Sequence, residues 1–485
     1  MTVDSVDINA TIERVKKLLQ EEKDLSPAMV ASVEMLLLVV TLLVGRLGLN
    51  SRNSSKPPSS DPNRGKNNKS NDENSDKKSP GGQIGHNGST LMPSDDPDLI
   101  KPIEIDQSTL PAGNYHDAGH ESRQVVDIRI SRFITEYRAQ IIENELGDRY
   151  VAEFPEGVSR PIQYGASVKA NAVYMSMFQL IPYERIQTHF SELFNIPISA
   201  GSVYNFNRDA YQRLSDFDRL AKHQLSQSML VHADETGINI NGDRVWLHNA
   251  SNSKWTYFYP HEKRGCEAID AIGILPKFQG TLCHDHWKPY YKYDCTHSLC
   301  NAHHLRELTR AFEQDEQQWA HKMYELLEEI NVAVLDAGGK LSASKAKKWR
   351  NKYRHILDEA NIECPEPERP KGTPKRGRLK RSKSRNLLER LRDYEGDLLR
   401  FMENVEVPFT NNQGERDIRM TKVQQKISGC FRSKDGAETF CLIRSYLSTC
   451  RKNQIGVGEA LECLFRGEWP EFIQQKMDQM TKSAE

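Results

Sequence analysis

Cysteine is missing from the first half of this chain, and all nine cysteines lie at or after Cys266. That distribution does not suit a disulfide framework and favours a reducing compartment, where thiols pack or bind metal. The chain also has almost no net charge, with a formal value of -1. This excludes a global attraction to nucleic acid or to acidic membrane, so any affinity for DNA must come from local patches.

Residues 1–20 also lack the combination of a basic start, an apolar run and small residues that is typical of a secretory signal. We therefore expect a cytoplasmic protein, associated with the nucleoid if it acts on DNA. Apolar residues at 37% and charged residues at 27% are typical of a soluble protein. The 485 residues exceed what one hydrophobic core usually organises, which predicts two to four domains joined by linkers.

Residues 1–49 are predicted to form helices, the second starting with Ser26 as N-cap and Pro27 in its first position. Apolar residues at three- and four-residue spacing give this helix a coiled-coil seam: Val30, Val33, Leu37, Val40, Leu43 and Leu47. We expect a homo-oligomer, at least a dimer. A plain packed helix gives the same pattern. A membrane span is the other alternative, but the apolar run at 35–44 is shorter than the roughly 20 residues required.

Residues 50–90 are rich in Ser, Asn, Pro, Lys, Asp and Gly, and this composition predicts a flexible linker. Residues 91–156 are predicted to be a small β module, because apolar residues alternate at 124–130 and 133–141.

A helical domain is predicted over 157–222, with helices at 166–180, 183–194 and 202–214. The short break between the last two helices is compatible with a helix-turn-helix that places its second helix in the major groove. Arg208 and Arg213 would then contact DNA. An ordinary helical hairpin fits the same residues.

Short strands follow at 229–233, 245–249 and 255–259, then a helix at 266–275, a strand at 280–284 and a last strand at 297–301. A three-stranded meander followed by alternating helices and strands is the element order of the α/β ribonuclease-H-like fold. We therefore predict such a catalytic core, whose first part spans 223–304.

Two acidic residues are predicted at strand ends in this core. Asp234 closes the first strand and Asp285 closes the fourth, and these strands are neighbours in the fold. Adjacent carboxylates repel each other unless a cation lies between them. Oxygen ligands suit Mg²⁺ or Mn²⁺, which can activate a water or a 3′-hydroxyl for phosphodiester chemistry. Each Asp taken alone is unremarkable, since strand-end aspartates are common.

Glu415 is our candidate for a third carboxylate, on a helix that Asn411 and Asn412 can cap. The same helix carries four cations suited to a phosphate backbone: Arg416, Arg419, Lys422 and Lys426. The alternative is a solvated helix with an ordinary Glu/Arg pair, since Glu415 and Arg419 lie one turn apart.

Three segments carry a resemblance to a known family. They are NSRNSSKPPSSD at 50–61, DET at 234–236, and NNQGER at 411–416 ahead of KISG at 426–429. From about residue 30 to about 465 the chain resembles transposases of the insertion sequence 66 family, a branch of the bacterial DDE transposases.

The resemblance implies that Asp234, Asp285 and Glu415 are the catalytic triad, holding two Mg²⁺ or Mn²⁺ ions. It further implies a helical insertion over 305–409, a core helix over 410–455 that carries the third acid, and a C-terminal tail over 456–485. Family members usually act beside small accessory proteins encoded by the same element.

One departure from the family concerns zinc. The family's module after the linker resembles a zinc ribbon with paired cysteines, whereas residues 91–156 contain no cysteine. His116 and His120 cannot make a tetrahedral zinc site alone, so we expect a metal-free remnant.

A dense cluster of Cys and His follows in the core: Cys283, His284, His286, Cys295, His297, Cys300, His303 and His304. It lacks a Cys-x-x-Cys pair, and the resemblance explains Cys300 and His303 as a Cys-x-x-His element. We therefore favour packing and DNA contact over zinc, with His303 and Arg306 near the scissile phosphate.

A basic stretch crosses the helical insertion between 369 and 392. Its cations are Lys371, Lys375, Arg376, Arg378, Lys380, Arg381, Lys383 and Arg385. Such a segment predicts salt-dependent DNA affinity without sequence preference, and a solvated loop is the alternative. Trp246, Trp255 and Trp287 lie in or beside strands and are assigned no role.

The sequence thus predicts a DDE transposase that binds the terminal inverted repeats of a mobile element and joins them to target DNA. The partner is double-stranded DNA, without a membrane. Two alternatives remain open: a DNA-binding accessory protein or repressor without catalysis, and a ribonuclease-H-like nuclease or resolvase that cuts without joining.

Overall fold

The structure, a computed structural model, describes residues 2–3, 6–22, 25–47, 49–54, 91–367 and 379–482. The chain divides into two compact units, residues 65–136 and the remainder. Most of the predicted linker at 50–90 lies outside the described residues, as does part of the basic stretch.

The N-terminus begins with a two-stranded antiparallel pair, β1 (Thr2–Val3) and β2 (Val6–Asp7), followed by α1 (Ile8–Glu21) and α2 (Pro27–Leu47). The predicted start of α2 is confirmed, because Pro27 is its first residue and the Ser26 hydroxyl accepts from the Met29 amide at 3.3 Å. None of the described residues of α2 is buried. By length and composition α2 could cross a membrane, and it is the one such helix in the described ranges.

The predicted β module at 91–156 is largely wrong. All of these residues are described, and they contain one short antiparallel hairpin, β3 (Ile141–Glu143) and β4 (Arg149–Val151). The stretch 124–130 is not a strand, and Val125 and Ile128 are 88% and 83% exposed. Alternation predicts a strand only where a partner strand and a core cover the apolar side, and neither covers this stretch.

The helical domain matches the prediction closely. It contains α3 (Ala166–Val173), extended by a π-helical turn (Tyr174–Phe178), then α4 (Tyr183–Phe194), α5 (Ala200–Arg213) and α6 (Ser215–Ser226). α4 ends at Asn195, which takes a left-handed conformation with φ of 51°. α5 begins at Ser199, whose hydroxyl accepts from the Ser202 amide at 3.0 Å.

The central sheet has five strands, in the order β7-β6-β5-β8-β9. β5 (Leu230–Ile240), β6 (Asp243–Ser251) and β7 (Thr256–His261) form an antiparallel meander. After α7 (Cys266–Ile272), β8 (Thr281–His284) and β9 (Thr296–Leu299) add parallel to β5 on its other side. The predicted adjacency of the first and fourth strands is confirmed. A 3₁₀ turn (Lys288–Lys292) stands between β8 and β9 where the fold prediction implied a helix.

A second hydrophobic core lies in the helices that follow the sheet. α8 (Asn301–Asp315), α9 (Gln318–Asp336), α10 (Ala343–Glu363), α11 (Lys383–Asp393) and α12 (Glu395–Leu398) bury Trp319, Tyr353 and Phe401 among themselves. This separate core is what the predicted helical insertion requires.

The chain then returns to the sheet through α13 (Asn412–Ser428) and α14 (Lys434–Lys452), so the single core helix predicted over 410–455 is two helices. They separate at Gly429, which has φ of 76°. The connecting segment pairs with the end of β5, where the Asn241 amide donates to the Phe431 carbonyl at 2.8 Å.

The predicted C-terminal tail is also folded. α15 (Val457–Arg466) and α16 (Glu471–Lys482) bury Leu461, Leu464 and Ile473 in the same core as the sheet. Their apolar residues recur at helical spacing, which explains why they pack rather than trail.

Candidate metal centre

Asp234 lies inside β5 and not at its end. The parallel pairing between β5 and β8 stops at His232 opposite Cys283, but β5 continues beside β6 to Ile240. The prediction that Asp234 closes its strand was therefore wrong, because antiparallel pairing with β6 extends the strand past Glu235. Asp234 comes two residues after the last parallel pair, so its carboxylate lies where the hydrogen bonding between β5 and β8 ends.

Asp285 comes directly after β8, as predicted. Its Oδ1 atom accepts from the Trp287 amide at 3.2 Å, which holds the carboxylate against the turn that leaves the sheet. Because β8 is parallel to β5, and Asp234 and Asp285 each lie two residues past the last pair, His232 and Cys283, both acids follow the same end of this pairing. Asp234 and Asp285 are therefore brought to the same edge of the sheet.

Glu415 lies in the first turn of α13, and Asn411 fixes that end of the helix to β5. Asn411 is the N-cap, but its side chain makes no capping bond. Instead its amide donates to the Ala233 carbonyl at 2.8 Å, and its Oδ1 lies 2.7 Å from Nδ1 of His232. The predicted cap is thus replaced by a direct tie to the residue before Asp234.

Gly414 allows the close approach of α13 to the sheet. A β-carbon at this position would lie 3.1 Å from Asn411 Oδ1, which is tighter than most real contacts. The Gly414 carbonyl also accepts from the Asn249 side chain at 3.1 Å, and Asn249 is the partner of Asp234 in β6. Three hydrogen bonds therefore join the start of α13 to β5 and its neighbour β6.

The ligand atoms of Asp234, Asp285 and Glu415 do not form a group within 4.8 Å of one another, but Asp285 and Glu415 both act on the charge of Asp234. The pKa of Asp234 is raised to about 8, first by burial, and further by the negative charges of Glu235, Asp285 and Glu415. A carboxylate with such neighbours is costly to ionise without a compensating cation. The oxygen atoms of three carboxylates are the donors that a hard divalent ion prefers.

Glu235 was missed by the sequence reasoning, although it adjoins Asp234. Its side chain is 1% exposed and pairs with Arg264 through Nη2 at 2.6 Å and Nε at 2.9 Å. The Tyr290 hydroxyl donates to its other oxygen at 2.6 Å. Burial raises the pKa of Glu235 and the charge of Asp285 adds to this, while Tyr290 and Arg264 oppose the shift.

Arg264 is held from both sides by tryptophans. Its guanidinium lies 4.7 Å from the ring centre of Trp246 and 4.4 Å from that of Trp287. These rings thus do more than fill the core, because they fix the cation that pairs with Glu235 beside the metal edge. The sequence signal that could have identified Glu235 is its position next to Asp234 on a strand, where the two side chains point to opposite faces of the sheet.

The start of α8 faces Glu415. The Nδ1 atom of His303 lies 3.9 Å from Glu415 Oε1, and Arg306 Nη2 lies 3.8 Å from the same oxygen. Burial lowers the pKa of His303, and the positive charge of Arg306 lowers it further. The structure therefore brings both residues to the acid cluster, while their contact with DNA stays a prediction.

The Cys and His cluster is mostly packing. His284 Nε2 lies 3.1 Å from His297 Nδ1, and Tyr291 packs on the His297 ring at 4.3 Å between centres. All nine cysteines are free thiols. Among the described residues, Cys300, His303 and Glu415 are the one group whose ligand atoms lie within 4.8 Å of one another.

The predicted DNA-binding cations have varied surroundings. Arg208, Lys380, Lys383, Arg416, Arg419, Lys422 and Lys426 are exposed. Lys422 also donates to the Gly237 carbonyl at 2.5 Å. Arg213 pairs with Asp209 at 2.7 Å, and Arg381 pairs with Glu366 at 2.9 Å.

The rest of the basic stretch is divided between buried and undescribed residues. Arg385 is buried and donates to the Cys364 carbonyl at 2.7 Å, so its role is structural. Lys371, Lys375, Arg376 and Arg378 lie outside the described residues.

Fold and site together define a mixed α/β protein with a carboxylate cluster at one edge of its sheet. The sequence profile of the Transposase IS66 family matches residues 161–439, which is more than half of the chain. The chain belongs to this family of transposases, and its function is that of a DNA-processing enzyme. The matched residues, 161–439, are a shorter stretch than the residues from about 30 to about 465 over which the sequence resembles the family.

The N-terminal residues 5–91 match a different profile, a family of unknown function, DUF6444. No curated protein matches the chain.

Proposed function

We propose that this transposase binds the ends of its mobile element, cuts the DNA there and transfers the freed 3′ ends to target DNA. Asp234, Asp285 and Glu415 are the residues that would hold two Mg²⁺ or Mn²⁺ ions. When bound, such ions activate the attacking water or hydroxyl and stabilise the leaving oxygen of a phosphodiester. The partner is double-stranded DNA at the terminal inverted repeats and at the target.

One observation carries the proposal: the raised pKa of Asp234, to which Asp285 and Glu415 contribute from distant parts of the chain. A buried acid whose charge its neighbours disfavour is retained at a cost in stability, and a cation site accounts for that cost. The strand order β7-β6-β5-β8-β9 supports a ribonuclease-H-like core, whose acids gather at this edge.

The residues around the acids position them. Asn411 and Gly414 hold the start of α13 against β5 and β6, and so fix the helix that carries Glu415 beside the strand that carries Asp234. Arg264, which lies between Trp246 and Trp287, holds Glu235 in an ion pair beside the acids. Arg306 neutralises part of the charge of Glu415 and can face a phosphate.

DNA would contact the cations of α13 and the helical domain. Arg416, Arg419 and Lys426 are exposed along α13, which begins at the acids, so a phosphate backbone following this helix leads to the site. On α5, the exposed residues Tyr204, Asn205, Arg208 and Gln212 recur at helical spacing and form one face. Asn, Gln and Arg are side chains that read base edges, which favours α5 as the reading helix of a helix-turn-helix.

The proposed setting is the cytoplasm, with α2 as an assembly helix and with small accessory proteins of the same element as partners. The apolar residues of α2 support assembly, since a helix with no buried residue among those described must find a surface elsewhere.

The test is the Asp234→Asn variant, measured for cleavage and joining of labelled element ends with Mg²⁺ and with EDTA. We expect at least a thousandfold loss of cleavage with end binding retained, and EDTA should abolish the activity of the parent. Asp243→Asn is the matched control, because Asp243 is an exposed aspartate of the adjoining strand. Running the assay in extract from cells that carry the complete element supplies any accessory protein.

The alternatives give other outcomes. Cleavage retained by Asp234→Asn contradicts the proposed site. Cutting without joining indicates a nuclease, and binding without any metal-dependent cutting indicates an accessory protein or repressor.

A further inference from the structure

Cys300 and His303 form a cluster with Glu415, and of these three residues the proposed Mg²⁺ chemistry requires only Glu415. Cys300 is fully buried at the start of α8, His303 is in the first turn of that helix, and Glu415 is in the first turn of α13. Their ligand atoms all lie within 4.8 Å of one another. One thiol, one imidazole and one carboxylate are a donor set that Zn²⁺ takes and Mg²⁺ does not.

Two atoms of this cluster are buried without a hydrogen bond: Nδ1 of His303 and Oε1 of Glu415. They face each other at 3.9 Å, too far for a hydrogen bond. Tetrahedral bonds of about 2.0–2.3 Å would separate two ligand atoms by roughly 3.3–3.8 Å. A slight contraction around a metal ion would therefore satisfy both atoms.

Burial raises the pKa of the Cys300 thiol to about 11, against the lowering effect of the Asn411 backbone hydrogen bond, so a bound metal ion has to displace the thiol proton. The backbone amide of Asn411 donates to Cys300 Sγ at 3.1 Å, and the sulfur lies at the N-terminal end of α8. Both features stabilise negative charge on sulfur. His303 and Glu415 have side chains 27% and 31% exposed, so an ion can enter from solvent and keep a water as fourth ligand.

We propose that Cys300, His303 and Glu415 bind a thiophilic divalent ion such as Zn²⁺, and that this ion withdraws Glu415 from the Mg²⁺ site and inhibits the transposase. Binding releases the thiol proton to solvent. Arg306 is then displaced from Glu415, since both cations compete for the same oxygen. The site differs from the structural zinc that the sequence disfavoured, because it shares a ligand with the acid cluster. The inhibition rests on the proposed function, whereas the binding does not.

The binding test is a Cd²⁺ titration of the full-length protein, followed by the ultraviolet sulfur-to-cadmium charge-transfer band. We expect a band that saturates at one equivalent in the parent and is lost in Cys300→Ser. In His303→Gln the affinity for Cd²⁺ should fall by roughly tenfold or more. This second variant tests the site if Cys300→Ser fails to fold. Cys295→Ser is the matched control, because Cys295 has a histidine 4.0 Å away but lies outside the cluster.

Asp234→Asn should keep the band, since it removes only the proposed catalytic acid. A first-equivalent band that persists in Cys300→Ser, or that disappears in Cys295→Ser, contradicts the site.

The inhibition test compares strand cleavage at excess Mg²⁺ with and without Zn²⁺, as a ratio within each variant. We expect Zn²⁺ to reduce cleavage by the parent at least tenfold and to leave the ratio near one in Cys300→Ser. Equal sensitivity in both proteins contradicts the sharing of Glu415. An inactive parent would count against the proposed function alone, because the cadmium band reports the metal site directly.

Discussion

Asp234 should make the metal-free protein less stable as the pH rises from about 4 to about 8. Its pKa rises from 3.8 to about 8 on folding, mainly through burial. A group whose pKa is raised stabilises the fold fully below its unfolded pKa, and this contribution is lost as the pH rises towards the folded value. The free energy of unfolding should therefore fall by up to about 1.4 kcal/mol per pH unit between roughly pH 4 and pH 8 from this group alone.

Denaturant unfolding of the parent and Asp234→Asn in EDTA at several pH values measures this effect. The asparagine has no charge to bury, so the free energy of unfolding of the variant should fall less steeply with pH than that of the parent. The stability of the variant relative to the parent should therefore increase as the pH rises. Adding Mg²⁺ at pH 8 should stabilise the parent and not the variant. Parallel pH profiles for the two proteins would contradict the shift.

Asn411 gives a second prediction at this scale, because its neighbour supplies the control. Asn411→Ala leaves the Ala233 carbonyl and His232 without their partner in a buried place, which should cost about 1–3 kcal/mol of unfolding free energy. Asn412→Ala removes an exposed amide and should change stability by less than about 0.5 kcal/mol. Similar losses in both variants would show that Asn411 does not anchor α13.

The residues of the site were predictable to different degrees. Asp234 and Asp285 could be proposed because the alternation of apolar residues located their strands. Glu235 and Arg264 could not be paired, because they are 29 positions apart and no local pattern relates them. Asn411 was assigned to the right position, but whether it caps its own helix or reaches β5 depends on the packing of α13.

At the scale of the element, α13 should contribute to DNA affinity through charge. Removing one phosphate contact makes binding less dependent on salt: the slope of log K against log salt becomes shallower by about 0.9. Arg416→Gln combined with Arg419→Gln should therefore reduce the slope by about 1.8 for any DNA sequence. Lys347→Gln combined with Lys348→Gln, on the exposed side of α10, is the control.

Fluorescence anisotropy with a labelled duplex over a range of salt concentrations gives these slopes. Unchanged slopes for the α13 variant, or an equal loss in the α10 control, would contradict a DNA path along α13.

Elements of the sheet core were predicted to different degrees. The strands β6 to β9 and the helices α3 to α5 were located from the sequence, whereas α15 and α16, which pack in the same core, were predicted as a tail. Apolar residues alternate in the stretch 124–130, but no strand pairs with it. The alternation therefore predicted a strand that the structure does not contain there. β5 was cut short at Asp234 because Glu235 and Thr236 look polar, although Glu235 is buried by its pairing with Arg264.

For the whole molecule, the open question is how copies of the chain assemble. The seam predicted on α2 is half-buried at Val30, Val33 and Leu37 and exposed at Val40 and Leu43, which are 37% and 53% exposed. A coiled coil would cover the exposed part with a second copy. A membrane would cover every apolar side of α2, not the seam alone.

Paired substitutions separate these outcomes in the full-length protein. Val40→Glu with Leu43→Glu places charge on the seam, whereas Leu38→Glu with Leu42→Glu places equal charge off it, at residues 59% and 65% exposed. Burying a charge at a helix interface is costly, so a coiled coil predicts that sedimentation equilibrium finds a dimer or larger for the parent and the control and a monomer for the seam variant. Loss of vesicle flotation in both variants would indicate a membrane helix instead, and a parent that is already monomeric would contradict assembly through α2.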